Sequence, residues 1–165
     1  MRKYVLLFVL LYLAGCAGKK QPREQLVVPE TAVVFVDEDS LCPLKDFIPI
    51  REYTMLCFVN TDCSVCLVGI SLWLKFAEEH PEVTPVIVTP ASGSKKVFWT
   101  QMLTYFKSPL YVIFDTEREL FQMNRLDEQT STLISDASGT IILKGNIHDK
   151  KFSEQYRRGV PRLAK

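Results

Sequence analysis

Met55-Leu56-Cys57-Phe58-Val59 places five apolar residues in a row within a strand-length segment running from Tyr53 to Asn60. A strand with one face in water alternates apolar and polar side chains, so an unbroken run requires cover on both faces. That points to the middle of a sheet layered between helices, an α/β arrangement. The flanking sequence supplies matching elements. From Ser64 to Glu79 the residues Val65, Leu67, Val68, Leu72, Leu74 and Phe76 recur at mostly helical spacing, and His80-Pro81 ends the pattern. Strands are expected at Thr31 to Val36, Val83 to Thr89 and Leu110 to Phe114. Amphipathic patterns at Lys95 to Phe106 and Thr116 to Asn124 predict two more helices. Thr132 to Ser135 and Thr140 to Lys144, joined by Asp136-Ala137-Ser138-Gly139, form a hairpin, and Asp149 to Arg158 is a polar closing helix. Asp37 to Ile50, with Pro43 and Pro49, reads as loop or short irregular structure. Helices between strands demand parallel pairing there, and the hairpin adds antiparallel strands, so the expectation is a mixed sheet with helices on both faces.

The 165 residues, 47% of them hydrophobic, suffice for one domain with a core, and 24% charged residues exclude a largely disordered chain. With 20 Lys+Arg against 19 Asp+Glu there is no cationic surplus for phosphate contacts, so no nucleic acid partner is expected.

The amino terminus carries an address. Arg2 and Lys3 precede an eleven-residue apolar and aromatic run, Tyr4 to Ala14, followed by Gly15 and Cys16. Spanning a bilayer core takes roughly 20 helical residues, so eleven fit a secretory signal instead. Leu13-Ala14-Gly15-Cys16 resembles a bacterial lipobox at all four positions. That resemblance implies a signal peptide over residues 1–15, cleavage before Cys16 and lipidation of Cys16, with palmitate among the acyl chains. Residues 16–29 then form a lipid-anchored tether, polar from Ala17 to Gln25, and residues 30–165 form the domain. Without an acidic run after Cys16, the expected site is the cell envelope, anchored to the lipid bilayer through Cys16 and facing the periplasm. Disulfides persist there. An ordinary signal with Cys16 unmodified is the alternative.

Cys63-Ser64-Val65-Cys66 lies between the buried strand and the helix pattern. Two thiols three residues apart at a helix start lie on one turn, and the first stands against unsatisfied backbone N–H groups and the positive end of the helix dipole. Both features favour the thiolate, the reactive form.

In this context Thr54 to Leu74 resembles the thioredoxin-like thiol–disulfide oxidoreductases of the bacterial envelope, and Leu133 to Ile142 resembles that family's later hairpin. The resemblance spans roughly residues 30 to 158. It implies a thioredoxin-like fold, Cys63 as attacking thiol, Cys66 as resolving thiol, and a reversible disulfide between them. It also implies a protein thiol or disulfide as substrate, a membrane redox partner for recharging, and no cofactor. The family places a cis-Pro before the hairpin's first strand, facing the CxxC; here that position falls at Thr130 or Ser131, which become candidates for the substrate groove. Two further departures are Asp62 where an aromatic usually precedes the first Cys, and Ser-Val between the thiols. A carboxylate at 62 opposes thiolate formation.

The alternative is a non-catalytic thioredoxin-like binding lipoprotein with a structural Cys63–Cys66 disulfide. A peroxiredoxin-like peroxidase ranks third, because the residue three before Cys63 is Asn60, with Thr61 only two before. No metal is expected, since Cys42, Cys57, His80 and His148 lack a second paired spacing. Cys57 reads as an inert buried thiol, Cys42 as partly buried, Trp73 and Trp99 as core, and both histidines as surface residues. Ser64, Ser71 and Ser92 lack a Gly-x-Ser-x-Gly context, which argues against a hydrolase.

Overall fold

The computed structural model describes residues 24–36, 40–59, 67–90, 111–127 and 130–159. Among them, strands β1 (Val33–Phe35), β2 (Leu41–Pro43), β3 (Tyr53–Phe58), β4 (Val83–Thr89), β5 (Tyr111–Phe114), β6 (Thr132–Asp136) and β7 (Ile141–Gly145) form one sheet in the order β2-β1-β5-β4-β3-β6-β7. β3 pairs in parallel with β4, and β4 with β5. Antiparallel pairs extend the sheet at both ends, β6 and β7 beyond β3, β1 and β2 beyond β5. The mixed α/β sheet expected from the pattern is the one observed.

The apolar run in β3 resolves into two alternating sets. Tyr53, Met55 and Cys57, with Val59 just beyond the strand, face one core with Val83 and Ile87 of β4; Leu56 faces the other with Val86 and Val88. The first core is covered by α2 (Leu67–Glu79), through Ile70, Trp73 and Phe76, and by α4 (Phe152–Gly159), through Phe152 and Tyr156. The second is covered by α1 (Leu44–Phe47), through Leu44 and Phe47, and by α3 (Glu119–Met123), through Leu120. Helices therefore lie on both faces, and the layering keeps every residue from Tyr53 to Cys57 out of water.

Some elements differ from the sequence pattern. Asp37 to Ile50 is not loop throughout: β2, α1 and a 3₁₀ turn at Ile48–Ile50 occupy it from Leu41 onward. Pro43 sits at the N-cap of α1 with φ −54°, and Pro49 lies in the first turn of the 3₁₀ segment, where a missing N–H leaves no bond unmade. Val68, counted among the apolar stripe of α2, is exposed. α3 starts three residues later than Thr116 because Asp115 to Arg118 forms a turn first, closed by the Arg118 N–H on the Asp115 carbonyl at 3.0 Å. α4 starts at Phe152 because the Asp149 carboxylate accepts the Lys151 N–H in a turn of its own. The helix expected at Lys95 to Phe106, with Trp99, lies outside the described residues, as do Cys16, Ser64, Val65 and Ser92.

Within the stretch read as tether, residues 24–28 are bonded to the domain. The Ile141 N–H donates to the Glu24 carbonyl and the Leu26 N–H to the Gly139 carbonyl, both at 2.8 Å. The Val27 N–H and carbonyl bind the Asn124 side chain at 2.9 and 2.8 Å. Leu26 and Val28 pack on the second core.

Candidate functional site

Parallel strands β3, β4 and β5 end at one pole of the sheet, where binding sites of α/β proteins form. The pole is held tightly. The Phe58 N–H donates to the Ser131 carbonyl, the Val59 N–H to the Val88 carbonyl and the Asp115 N–H to the Thr89 carbonyl, each at 2.9 Å. β3 ends at Phe58 and α2 is described from Leu67; Cys63 and Cys66 fall between them in the sequence and lie outside the described residues.

At this pole a cleft of about 480 Å³ opens. Phe58, Val59, Trp73, Val88 and Phe121 give it apolar walls, and Asp115, Arg118, Asp127 and Ser131 supply its polar groups. Trp73 is core, as its place in the helix pattern suggests, at 2% exposure, and it nevertheless lines the cleft. Its indole N–H donates to Thr132 Oγ1 at 2.8 Å in a fully buried bond. Asp115 is committed to its own backbone, accepting the N–H groups of Leu120 at 3.3 Å and Phe121 at 3.2 Å at the start of α3. Arg118 adopts left-handed backbone, φ 57°, and lays its guanidinium 4.5 Å from the Phe121 ring centre.

The two candidates for the substrate groove differ in position. Ser131 borders the cleft. Thr130 sits in the preceding turn, where its hydroxyl donates to Asp127 Oδ1 at 2.7 Å and its N–H to the Asp127 carbonyl at 2.9 Å. Asp115, Arg118, Phe121 and Asp127 carry no motif, and the helical pattern read at Thr116 to Asn124 gave no sign that they line a cleft.

The remaining candidates separate by burial. Cys57 is fully buried in β3, and burial pushes its thiol well above the ordinary range despite a backbone contact at Val86 that lowers it, so it stays a protonated thiol. Cys42 is half-buried and free. His148 is exposed, as expected. His80 departs from expectation. Its side chain is 15% exposed, with its ring 4.5 Å from that of Phe76 and 4.8 Å from that of Tyr156, and its Nδ1 3.5 Å from the Glu82 carboxylate. It lies past the end of α2, beside the start of β4 and away from the cleft. Among the described residues, no three of His, Cys, Asp and Glu converge as a metal-binding group.

No protein-family model matches the chain, and no curated protein matches it. Solved structures do. A thioredoxin-like protein from Aeropyrum pernix is 14% identical, with 79% of this chain and 91% of that one covered at a TM-score of 0.58. The thioredoxin domain of a thiol–disulfide oxidoreductase from Bacteroides vulgatus is 17% identical, with 83% and 96% covered at a TM-score of 0.57. The exposed lipoprotein thioredoxin of Streptococcus pneumoniae is also 17% identical, with 78% and 98% covered at a TM-score of 0.57. Strand order, helices on both faces and these neighbours agree: the chain has the thioredoxin-like fold.

Proposed function

We propose that this chain is an envelope thiol–disulfide oxidoreductase, anchored to a membrane through lipidated Cys16, that exchanges electrons with protein cysteines through Cys63 and Cys66. The observation that carries the reading is a CxxC in the sequence between a buried central strand and α2 of a thioredoxin-like fold, two elements whose residues Phe58 and Trp73 line a largely apolar cleft. The Cys63 thiolate attacks one sulfur of a substrate disulfide, that S–S bond breaks, and the departing sulfur takes a proton. The Cys66 thiolate then attacks the Cys63 sulfur, releasing the second substrate thiol and closing Cys63–Cys66. Two electrons pass to the substrate, and a membrane dithiol donor restores the pair. No organic cofactor is needed, because the sulfurs carry both electrons. A thiol at a helix start is favoured as thiolate by the dipole and the N–H groups there, and that is the role this reading gives the residues before α2. The anchor rests on the lipobox, and the pneumococcal neighbour described as an exposed lipoprotein thioredoxin is in keeping with it.

The absence of a proline at Thr130 and Ser131, together with Asp62, favours a second reading, a binding lipoprotein whose cysteines stay locked. One assay separates the two. With dithiothreitol as reductant, the full chain in detergent is expected to reduce insulin, and Cys63→Ser to fall to the uncatalysed rate. Equal rates for parent and variant would favour the binding module.

A further inference from the structure

Thr130 and Ser131 carry no proline ring to stiffen the approach to β6, so the stiffness there comes from hydrogen bonds. Asp127 holds Thr130, the Ser131 carbonyl takes the Phe58 N–H, and Thr132 Oγ1 takes the Trp73 indole N–H. The last of these crosses between elements. Trp73 belongs to α2, the helix that follows the CxxC, and Thr132 opens β6 directly after Ser131. Both partners are buried, so water does not compete for the bond. The ring is also backed from behind: a Cβ on Gly69 would meet it at 3.4 Å. Trp73 and Ser131 both line the cleft, and the Thr132 hydroxyl ties the first to the residue that follows the second.

We propose that Thr132 is a positioning residue for partner recognition: its hydroxyl fixes Trp73 against β6, so a disulfide-bearing polypeptide meets a preformed wall between Trp73 and Ser131. This rests on the oxidoreductase reading for the identity of the partner, but the wall is measured separately from turnover. Thr132→Val keeps the β-branched shape and deletes the acceptor; Thr132→Ser keeps the acceptor; Trp73→Phe keeps a ring and deletes the donor.

In full-length protein carrying Trp99→Phe, Trp73 is the sole tryptophan. In that background Thr132→Val is expected to raise KM for insulin about fivefold, the size of one hydrogen bond, while kcat stays within about twofold. Thr132→Ser is expected to restore KM. Trp73 fluorescence titrated with carboxamidomethylated insulin B chain, which cannot exchange disulfides, is expected to show the same roughly fivefold weakening. Trp73→Phe reproduces the KM effect if Thr132→Val fails to fold. KM unmoved in the folded variants, kcat and KM shifting together, or Thr132→Ser failing as Thr132→Val does would overturn the proposal. A parent without turnover that still binds the B chain, with the loss in Thr132→Val, sinks the oxidoreductase reading and keeps the positioning role. A parent that neither turns over nor binds sinks both.

Discussion

Glu82 accepts the Tyr156 hydroxyl at 2.9 Å, and the two titrate in opposite senses. Burial pushes the Glu82 carboxyl up, but its own backbone N–H, the Tyr156 hydroxyl and His80 outweigh burial and hold it below the ordinary value. Its stabilising effect is therefore present above the unfolded glutamate range and is lost as pH falls through the lowered folded value. Tyr156 is raised far above the ordinary phenol, first by burial, then by the Glu82 hydrogen bond and the nearby negative groups. Its contribution is full below pH ~10 and fades as pH rises through the folded value. Tyr156→Phe is expected to lower stability at pH 7 by about 1–2 kcal/mol and to flatten the decline in Tm at both pH extremes. Thermal unfolding at pH 3, 7 and 11 checks this, and a variant keeping the parental slopes would count against the assignment. None of this pairing was visible along the chain. Glu82 and Tyr156 are 74 residues apart, and a histidine beside a proline gives no sign that two aromatic rings will enclose it.

At the scale of elements, local chemistry was readable wherever a turn dictated its own residues. The Asp136–Thr140 connection is a three-residue hairpin loop with the glycine in left-handed backbone, φ 78°. The Asp136 carboxylate accepts the N–H groups of Ser138 at 2.9 Å and Thr140 at 3.0 Å. Gly139→Ala places a Cβ in a conformation that L residues avoid, at a cost of about 1 kcal/mol, and should lower Tm by roughly 3 °C without altering the β6–β7 register. Calorimetry of the variant tests it. β3 was readable for a different reason, because burial on both faces forces five consecutive apolar residues. β2 and α1 were not readable. Three- and four-residue elements are too short to display a period, and the two prolines that mark a loop in sequence here occupy starts of turns, where they cost nothing. Val68 illustrates the same limit, since a helical stripe says which residues share a face but not how far the cover over it extends.

Across the whole molecule, the segment before β1 acts as a strap. Residues 24–28 bind the β6–β7 turn through Glu24 and Leu26, and α3 through Val27 and Asn124, while Lys144 Nζ reaches the Glu24 carboxylate at 2.7 Å. Asn124 is buried, so removing Val27 takes the N–H from its Oδ1 at a cost of about 1–3 kcal/mol while its Nδ2 keeps the Leu120 carbonyl, and loss of Leu26 and Val28 from the core adds to that. A chain starting at residue 29 is expected to melt about 10 °C below one starting at residue 24. A difference under about 2 °C in paired melting curves would show that the strap contributes little. Composition assigned this stretch to the tether, because its bonds are made with residues about a hundred positions away and leave no local mark. By itself, the sequence determined the α/β layering, the central strand and the hairpin turn, because each depends on residues within one or two turns of chain. Only the tertiary structure decided which side chains meet across elements, Trp73 with Thr132, Phe58 with Ser131, Tyr156 with Glu82, because a hydrogen bond forms between groups that folding brings within about 3 Å, and nothing in the spacing of residues along the chain encodes that distance.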